Sequence, residues 1–251
     1  MDKQIALFTG LLRLADDHLI LGHRLSEWCG HAPMLEEDLA MPNIALDLIG
    51  QSRALYTYAG EVEGKGRDED ALAYLRLERE YTNLLMCERD KGDFAFTMLR
   101  QLAFSLYMNA FWRVAMTSSD ETIAAISAKA EKETRYHTRH TGEWVIRLGD
   151  GTEESRARMG SALEDLTPYL GEMFEDDDVV AELEGVLPNP ASLRENWQRE
   201  MTDILGQATL DMLDWSSQTI SGGRKGLHGE EMGYLLAELQ YVQRAYPNMQ
   251  W

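Results

Sequence analysis

The stretch that decides the fold runs from Asp120 to Gly149, DETIAAISAKAEKETRYHTRHTGEWVIRLG. Within it Ile126, Ala130, Thr134, His137, Thr141, Trp144 and Leu148 recur at spacings of three and four. That spacing stacks side chains along one face of a helix with 3.6 residues per turn, whereas a strand would alternate every second residue. Ser118-Ser119-Asp120 followed by Glu121 offers side-chain oxygens to the orphan amides of a helix start, and Gly149-Asp150-Gly151 ends the pattern. The segment predicts one long amphipathic helix.

The same period extends outward in both directions. A first helix is expected from about Ile5 to Trp28, with Leu11, Ala15, His18, Gly22 and Leu25 on its inward stripe and Gly30 through Pro33 as its breaker. A second follows from about Leu35 to Glu61, where Pro42 predicts a kink or a restart because its ring clashes with the preceding turn. Gly64 and Gly66 mark an exposed loop, and Asp68 to Glu88 is shorter and less regular. A strongly apolar helix from about Phe94 to Met116 precedes the deciding one. Beyond it the pattern predicts helices over Thr152–Phe174, Ala191–Leu213 and His228–Tyr246, separated by an acidic loop with one helical turn and by a polar loop from Asp214 to Gly226. Strict alternation is hard to find, so the fold class is all-α. No repeat, low-complexity tract or long linker appears, which predicts a single domain over residues 1–251. The four long helices are expected to form an antiparallel bundle with the others packed around it.

The chain has 251 residues, 44% of them hydrophobic and 27% charged, the composition of a globular protein able to bury a substantial core. Two cysteines, Cys29 and Cys87, are too few for a disulfide framework and suit a reducing compartment. A net charge of −19 repels nucleic acid and anionic lipid. No run approaches the ~20 apolar residues of a membrane span, and Met1 to Asp17 shows no signal-peptide pattern, so a cytoplasmic location is expected. The clusters Glu36-Glu37-Asp38 and Asp176-Asp177-Asp178 read as solvated faces.

Helical bundles commonly host di-iron sites, in which two helices each give a carboxylate and two others a Glu-x-x-His pair. No Glu-x-x-His occurs in the four long helices; the nearest sets are Asp17-His18, Glu133 with His137, and His137 with His140. The last has metal-ligand spacing but no carboxylate of known position, so His137 and His18 read first as core histidines, with His140 nearer the bundle edge. Cys29 and Cys87 lack a partner for nucleophilic chemistry. No nucleophile elbow, P-loop or dinucleotide fingerprint is present. Gly222-Gly223-Arg224-Lys225-Gly226-Leu227-His228 combines backbone freedom, two cations and a histidine at a helix start. It suits an anion, or else is a flexible loop whose cations offset nearby carboxylates.

The strings Leu25-Ser-Glu-Trp-Cys-Gly-His-Ala-Pro33, Asn43-Ile-Ala-Leu-Asp-Leu-Ile-Gly-Gln-Ser-Arg53, Ala125-Ile-Ser-Ala-Lys-Ala-Glu-Lys-Glu-Thr-Arg-Tyr-His137 and Gly226-Leu-His228 resemble the C subunits of bacterial multicomponent phenylacetyl-CoA oxygenases, the ring 1,2-epoxidases. So do Leu236-Ala-Glu-Leu-Gln-Tyr-Val-Gln-Arg244 and Gln250-Trp251, and the resemblance spans nearly the whole chain. It implies a ferritin-like protein beside a homologous A subunit that holds the di-iron site and epoxidises the aromatic ring of phenylacetyl-CoA. The complex further uses a small B subunit and a reductase carrying flavin and an iron–sulfur centre and drawing on NADPH. The C subunit is regarded as structural.

Laid on the catalytic pattern, one Glu-x-x-His pair of the resemblance falls on Gly50 and Arg53, ahead of Leu55-Tyr56-Thr57-Tyr58. The other falls on Thr134 and His137, leaving His137 as a vestigial position and Gly50, Arg53 and Thr134 as lost ones. The two lone carboxylates match loosely near Asp17-His18 and near Tyr107 to Asn109. Arg53 is then expected inside the bundle, paired with a carboxylate, for which Asp17, Asp47 and Glu133 are the candidates, or with backbone oxygens, and no catalytic residue and no cofactor is expected in this chain. Two other readings stand beside this one: a self-contained metal-dependent oxidase using His137 and His140, and a CoA-binding module working through Arg224 and Lys225; Arg224, Lys225 and His228 are the candidates for contact with a partner or with CoA.

Overall fold

A computed structural model describes residues 2–211, 214, 219–247 and 249; Leu213, Gln250 and Trp251, which the sequence reading drew on, lie outside the described residues. The described residues are helical, with no strand among them. They gather into two compact units, one of residues 1–31, 38–90 and 221–251, the other of residues 32–37 and 91–220. The chain leaves each unit and returns to it, so neither is a contiguous segment.

The first unit is built on α1 (Lys3–Ser26) and α2 (Leu35–Glu63), the latter belonging to it from Asp38 onward. Asp2 caps α1 by accepting from the amides of Gln4 and Ile5. Leu11, Ala15, His18, Gly22 and Leu25 are all buried, as the helical period requires. α2 runs as one helix across Pro42, so of the kink or restart expected there the restart is not found. Proline sacrifices one ladder hydrogen bond, and the inward residues Met41, Ile44, Ala45 and Leu48 hold the segment helical around it by burial. The irregular stretch resolves into α3 (Glu69–Tyr74), a 3-10 turn at Glu78–Glu80 and α4 (Leu85–Glu88). A 3-10 turn at Gly223–Lys225 then leads into α10 (Glu230–Ala245). Gly226 closes that turn with a positive φ of 69°, and a Cβ there would collide with the Arg79 carbonyl, so the position admits only glycine.

The second unit centres on α5 (Phe94–Ala115), buried nearly all round and packed against α6 (Glu121–Gly149), α7 (Glu153–Leu170) and α9 (Arg194–Gln207). A hydrophobic helix without a polar face belongs in the middle of its neighbours. Asp120 caps α6 by accepting from Thr122 and Ile123, and the helix ends at Gly149 as expected. Ala130, Thr134, His137 and Thr141 are buried on its inward face. Ile126, Trp144 and Leu148 are only partly covered, and Ile123, Ser127 and Val145 take the buried places. α7 passes into a 3-10 turn at Gly171–Phe174, and α8 (Asp178–Glu182) is the single helical turn of the acidic loop. α9 stops at Gln207, short of the expected Leu213. The Leu210 amide bonds back to the Leu205 carbonyl and Thr209 adopts a φ of 56°, a left-handed helix terminus usually made by glycine. The Trp197 indole donates to the Ala103 carbonyl at 2.9 Å, and Tyr107, Phe174 and Trp197 meet edge to face at centroid distances of 5.6 and 5.3 Å. Among the described residues no helix is long and apolar enough to cross a membrane.

Candidate functional site

Buried polar groups of the first unit gather on the inward side of α1. Asp16 and Asp17 are fully buried, and an unpaired carboxylate there would be very costly. Asp16 accepts through Oδ1 from the Tyr56 hydroxyl and the Arg76 guanidinium. Its Oδ2 accepts from Arg76 at 3.1 Å, from the Thr82 amide at 2.7 Å and from the Thr82 hydroxyl at 3.1 Å. Arg76 also donates to the carbonyls of Leu72 and Glu80. Its own carbonyl accepts from Gln240 and Arg244 of α10, which ties the C-terminal helix to the same cluster.

Asp17 is held by a two-pronged contact with Arg224, at 3.0 Å to Oδ1 and 2.8 Å to Oδ2, while Oδ1 also accepts from the Leu84 amide at 2.7 Å. Burial pushes the Asp17 carboxyl up to about 6, against the opposing pull of the Arg224 cation and the Leu84 amide. Arg224 donates further to the carbonyls of Arg13 and Thr82. The glycine-rich turn thus spends its arginine inward, and of the cations expected to face an anion Lys225 is the exposed one. His228 is likewise turned in, its side chain fully covered. Nδ1 lies 2.7 Å from Glu88 Oε2 and Nε2 lies 3.0 Å from the Tyr81 carbonyl. Both ring nitrogens face acceptors, an arrangement that both nitrogens satisfy only as donors, in the imidazolium form. Burial alone would lower the His228 pKa, but the hydrogen bond and charge of Glu88 outweigh it and hold it above the ordinary value. Glu88 in turn accepts from Asn83 and from the Gly229 amide at the start of α10. This loop fastens α10 to the unit, and two of the polar side chains the sequence offered to a ligand, Arg224 and His228, are met within the chain.

In the second unit His137 is buried on α6, with the Tyr136 ring edge-on at 6.2 Å. His140 turns elsewhere: Nε2 lies 2.9 Å from Glu37 Oε2, and its ring stacks on Tyr136 at 5.9 Å. The expectation that Glu36-Glu37-Asp38 is a solvated face is corrected here, since Glu37 is buried against His140. Asp38, in the first unit, accepts from the Gly30 amide. Asp176 to Asp178 are exposed, Asp177 capping α8. Thr134 is buried one turn before His137, and Arg100 and Gln101 are fully buried on α5. Near the second loosely matched carboxylate, Tyr107 and Met108 are buried, and Asn109 faces the Glu131 carbonyl. Cys87 is buried and Cys29 exposed. His18 is buried, with Nδ1 donating to the Leu14 carbonyl at 2.7 Å.

Arg53 is the clear correction. It lies on the outer face of α2 with its side chain 73% exposed, 3.2 Å from Glu69 and from none of the three carboxylates expected. The inward register of the helix is Leu48, Gln51, Ser52 and Leu55, one to two residues away from the Gly50 and Arg53 pair. Among the described residues no three His, Cys, Asp or Glu side chains gather as a metal-ligand set. Sequence reasoning missed Arg76, Thr82 and Glu88, which lie in the irregular region where no period assigns an inward face. The Asp16-Asp17 doublet within an apolar stripe was the available signal, since two adjacent buried carboxylates demand two cations.

Comparison with known proteins places this molecule in a family. The profile described as phenylacetic acid catabolic protein matches residues 2–251. The chain is 45% identical over 251 residues to the C subunit of the 1,2-phenylacetyl-CoA epoxidase of Escherichia coli strain K12, an alignment covering 99% of this chain and 100% of that one. The chain belongs to the phenylacetic acid catabolic protein family.

Proposed function

We propose that this chain is the C subunit of a phenylacetyl-CoA epoxidase, a non-catalytic component that stabilises and positions the di-iron A subunit during aerobic phenylacetate degradation. The assignment is supported by full-length similarity to the C subunit of such an epoxidase. The observation that carries the non-catalytic reading is the saturation of the α1 carboxylates. Each oxygen of Asp16 and Asp17 accepts from a guanidinium, with Tyr56, Thr82 and the Leu84 amide taking further lone pairs. A carboxylate so committed ties helices together, and a metal ion would have to displace a cation to reach it. His140 pairs through Nε2 with Glu37, and among the described residues no three ligand side chains gather around it and His137, which weighs against the oxidase reading.

In this reading the di-iron centre belongs to the A subunit, the NADPH, flavin and iron–sulfur chemistry to the reductase, and the assembly also includes a small B subunit. One domain over residues 1–251 is part of the proposal, supported by a family match that runs through both compact units. The test is reconstitution: the A subunit with its reductase should turn over phenylacetyl-CoA faster and survive longer when this chain is present. Equal turnover and equal lifetime without it would overturn the role.

A further inference from the structure

α10 carries two stripes. Met232, Leu235 and Leu236 are buried on the side that faces the first unit, and on the opposite side Tyr234 and Tyr241 stand 71% and 63% exposed, seven residues apart. At 100° per residue Glu230, Tyr234, Ala237, Tyr241, Arg244 and Ala245 fall within about 50° of one line, and all six are exposed. An open groove of about 580 Å³ runs beside this line, walled by Leu77, itself 64% exposed, so the uncovered apolar surface is wider than the helix alone. Two opposite charges end the stripe. Neither Glu230 nor Arg244 has an ion-pair partner among the described residues; Arg244 spends Nε on the Gln240 side chain and Nη2 on the carbonyls of Leu75 and Arg76. Glu230 near the N-terminus and Arg244 near the C-terminus also suit the dipole of α10, which accounts for their signs but not for the two uncovered tyrosines between them.

Such a stripe is complementary to itself. Laid antiparallel on a second copy, about a two-fold axis between Ala237 and Glu238, α10 faces Tyr234 with the partner's Tyr241. Glu230 then falls within one residue of the partner's Arg244 and on the same flank, and symmetry makes each contact twice. Ala237, beside the axis, lets the two backbones approach. Glu238 lies about 70° from the line, on the outer flank, and meets its own counterpart there; that is one exposed like-charge contact against two opposite-charge ones. Parallel pairing has no such balance, since it sets Glu230 on Glu230 and Arg244 on Arg244. The repulsion between two chains of net charge −19 is screened beyond about 8 Å at physiological salt.

We infer that α10 is a self-association surface, which takes the α10 of a second copy of this chain in antiparallel with Tyr234 on Tyr241 and Glu230 on Arg244. The occupant follows from the helix itself. A foreign helix would have to present an acid and a base at the same spacing and in the reverse order, with apolar contact between them, and α10 already carries that arrangement. The inference stands independently of the proposed subunit role.

The test is sedimentation of the purified full chain over a concentration series. Wild type should dimerise as concentration rises, and Tyr241→Glu, at an exposed position, should raise the dissociation constant at least tenfold, about 1.4 kcal/mol. Glu230→Arg and Arg244→Glu should each weaken self-association comparably. An equimolar mixture of those two variants should form a heterodimer near the wild-type constant, because one carries cations at both ends of the stripe and the other carboxylates at both; that restoration also shows that both fold. Glu238→Gln should tighten the dimer by removing its like-charge contact. A chain that is monomeric at every concentration would overturn the inference, as would a dimer that Tyr241→Glu leaves intact, and both results leave the subunit role standing. A mixture that fails to pair would overturn the antiparallel register. A chain that stays monomeric alone yet binds the A subunit through Tyr241 would overturn the choice of occupant.

Discussion

The two compact units hold themselves together by different means. In the first, charges lie inside: Asp16 with Arg76, Asp17 with Arg224, Glu88 with His228, each pair joining residues 60 or more positions apart. In the second, Tyr107, Phe174 and Trp197 stand in edge contact around an almost wholly buried α5, and the buried polar side chains, among them Arg100, Gln101 and His137, lie among this aromatic and aliphatic packing. Apolar packing is graded and tolerates a small loss at one place. A buried ion pair is all or nothing, because removing one partner strands the other's charge. The first unit should therefore be sensitive to single charge deletions, and the second to lost volume.

The largest expected effect comes from Arg76→Met, which leaves Asp16 buried without its cation. We expect a loss of about 3 to 5 kcal/mol in urea unfolding. The double variant Asp16→Asn with Arg76→Met should recover part of it, and no recovery would mean that Arg76 acts through the Leu72 and Glu80 carbonyls instead. In the second unit Trp197→Phe keeps most of the apolar bulk and removes the hydrogen bond to Ala103, for a smaller loss of about 1 to 3 kcal/mol. A larger loss for Trp197→Phe than for Arg76→Met would reverse the contrast between the units.

Next in size is the dependence on pH, where Asp17 and His228 act with the same sign. The folded pKa of Asp17 is raised from 3.8 to about 6, so the folded state holds the proton more tightly. Its contribution is complete below pH 3.8 and is lost as pH rises through 6. His228 is raised above 6.5, so its contribution is complete below 6.5 and is lost as pH climbs through the folded value. Each group changes stability by at most about 1.4 kcal/mol per pH unit. Thermal melts above pH 6.5 should show this decline, and His228→Gln should flatten it. An unchanged slope in that variant would remove His228 from the account. Smallest of all, Asp2→Ala should cost about 1 kcal/mol through the lost cap of α1, measured by the same melts.

Legibility in the sequence followed the same division. α1, α5 and α6 were readable to within a residue or two because their inward residues recur every three or four positions and their ends carry Asp caps or glycine. The end of α9 was not, because its terminus is a threonine in a left-handed conformation where sequence rules look for glycine. Arg76, Thr82 and Glu88 were invisible as site residues because their partners are distant in the chain and no local pattern records them. Arg224 and His228 were singled out correctly as unusual, yet the direction they face depends on Asp17 and Glu88, and only the fold brings those together. The family resemblance, carried by strings along nearly the whole length, survived the misplacement of Arg53 because it never depended on one register.

We propose that this chain supports an oxygenase without carrying its metal centre. The most direct measurement is the iron content of the purified complex of this chain with the A subunit, counted per pair of chains and joined to the spectroscopic signature of coupled iron. One di-iron centre per pair is expected. Two centres per pair, or a stoichiometric coupled centre in this chain alone, would contradict it.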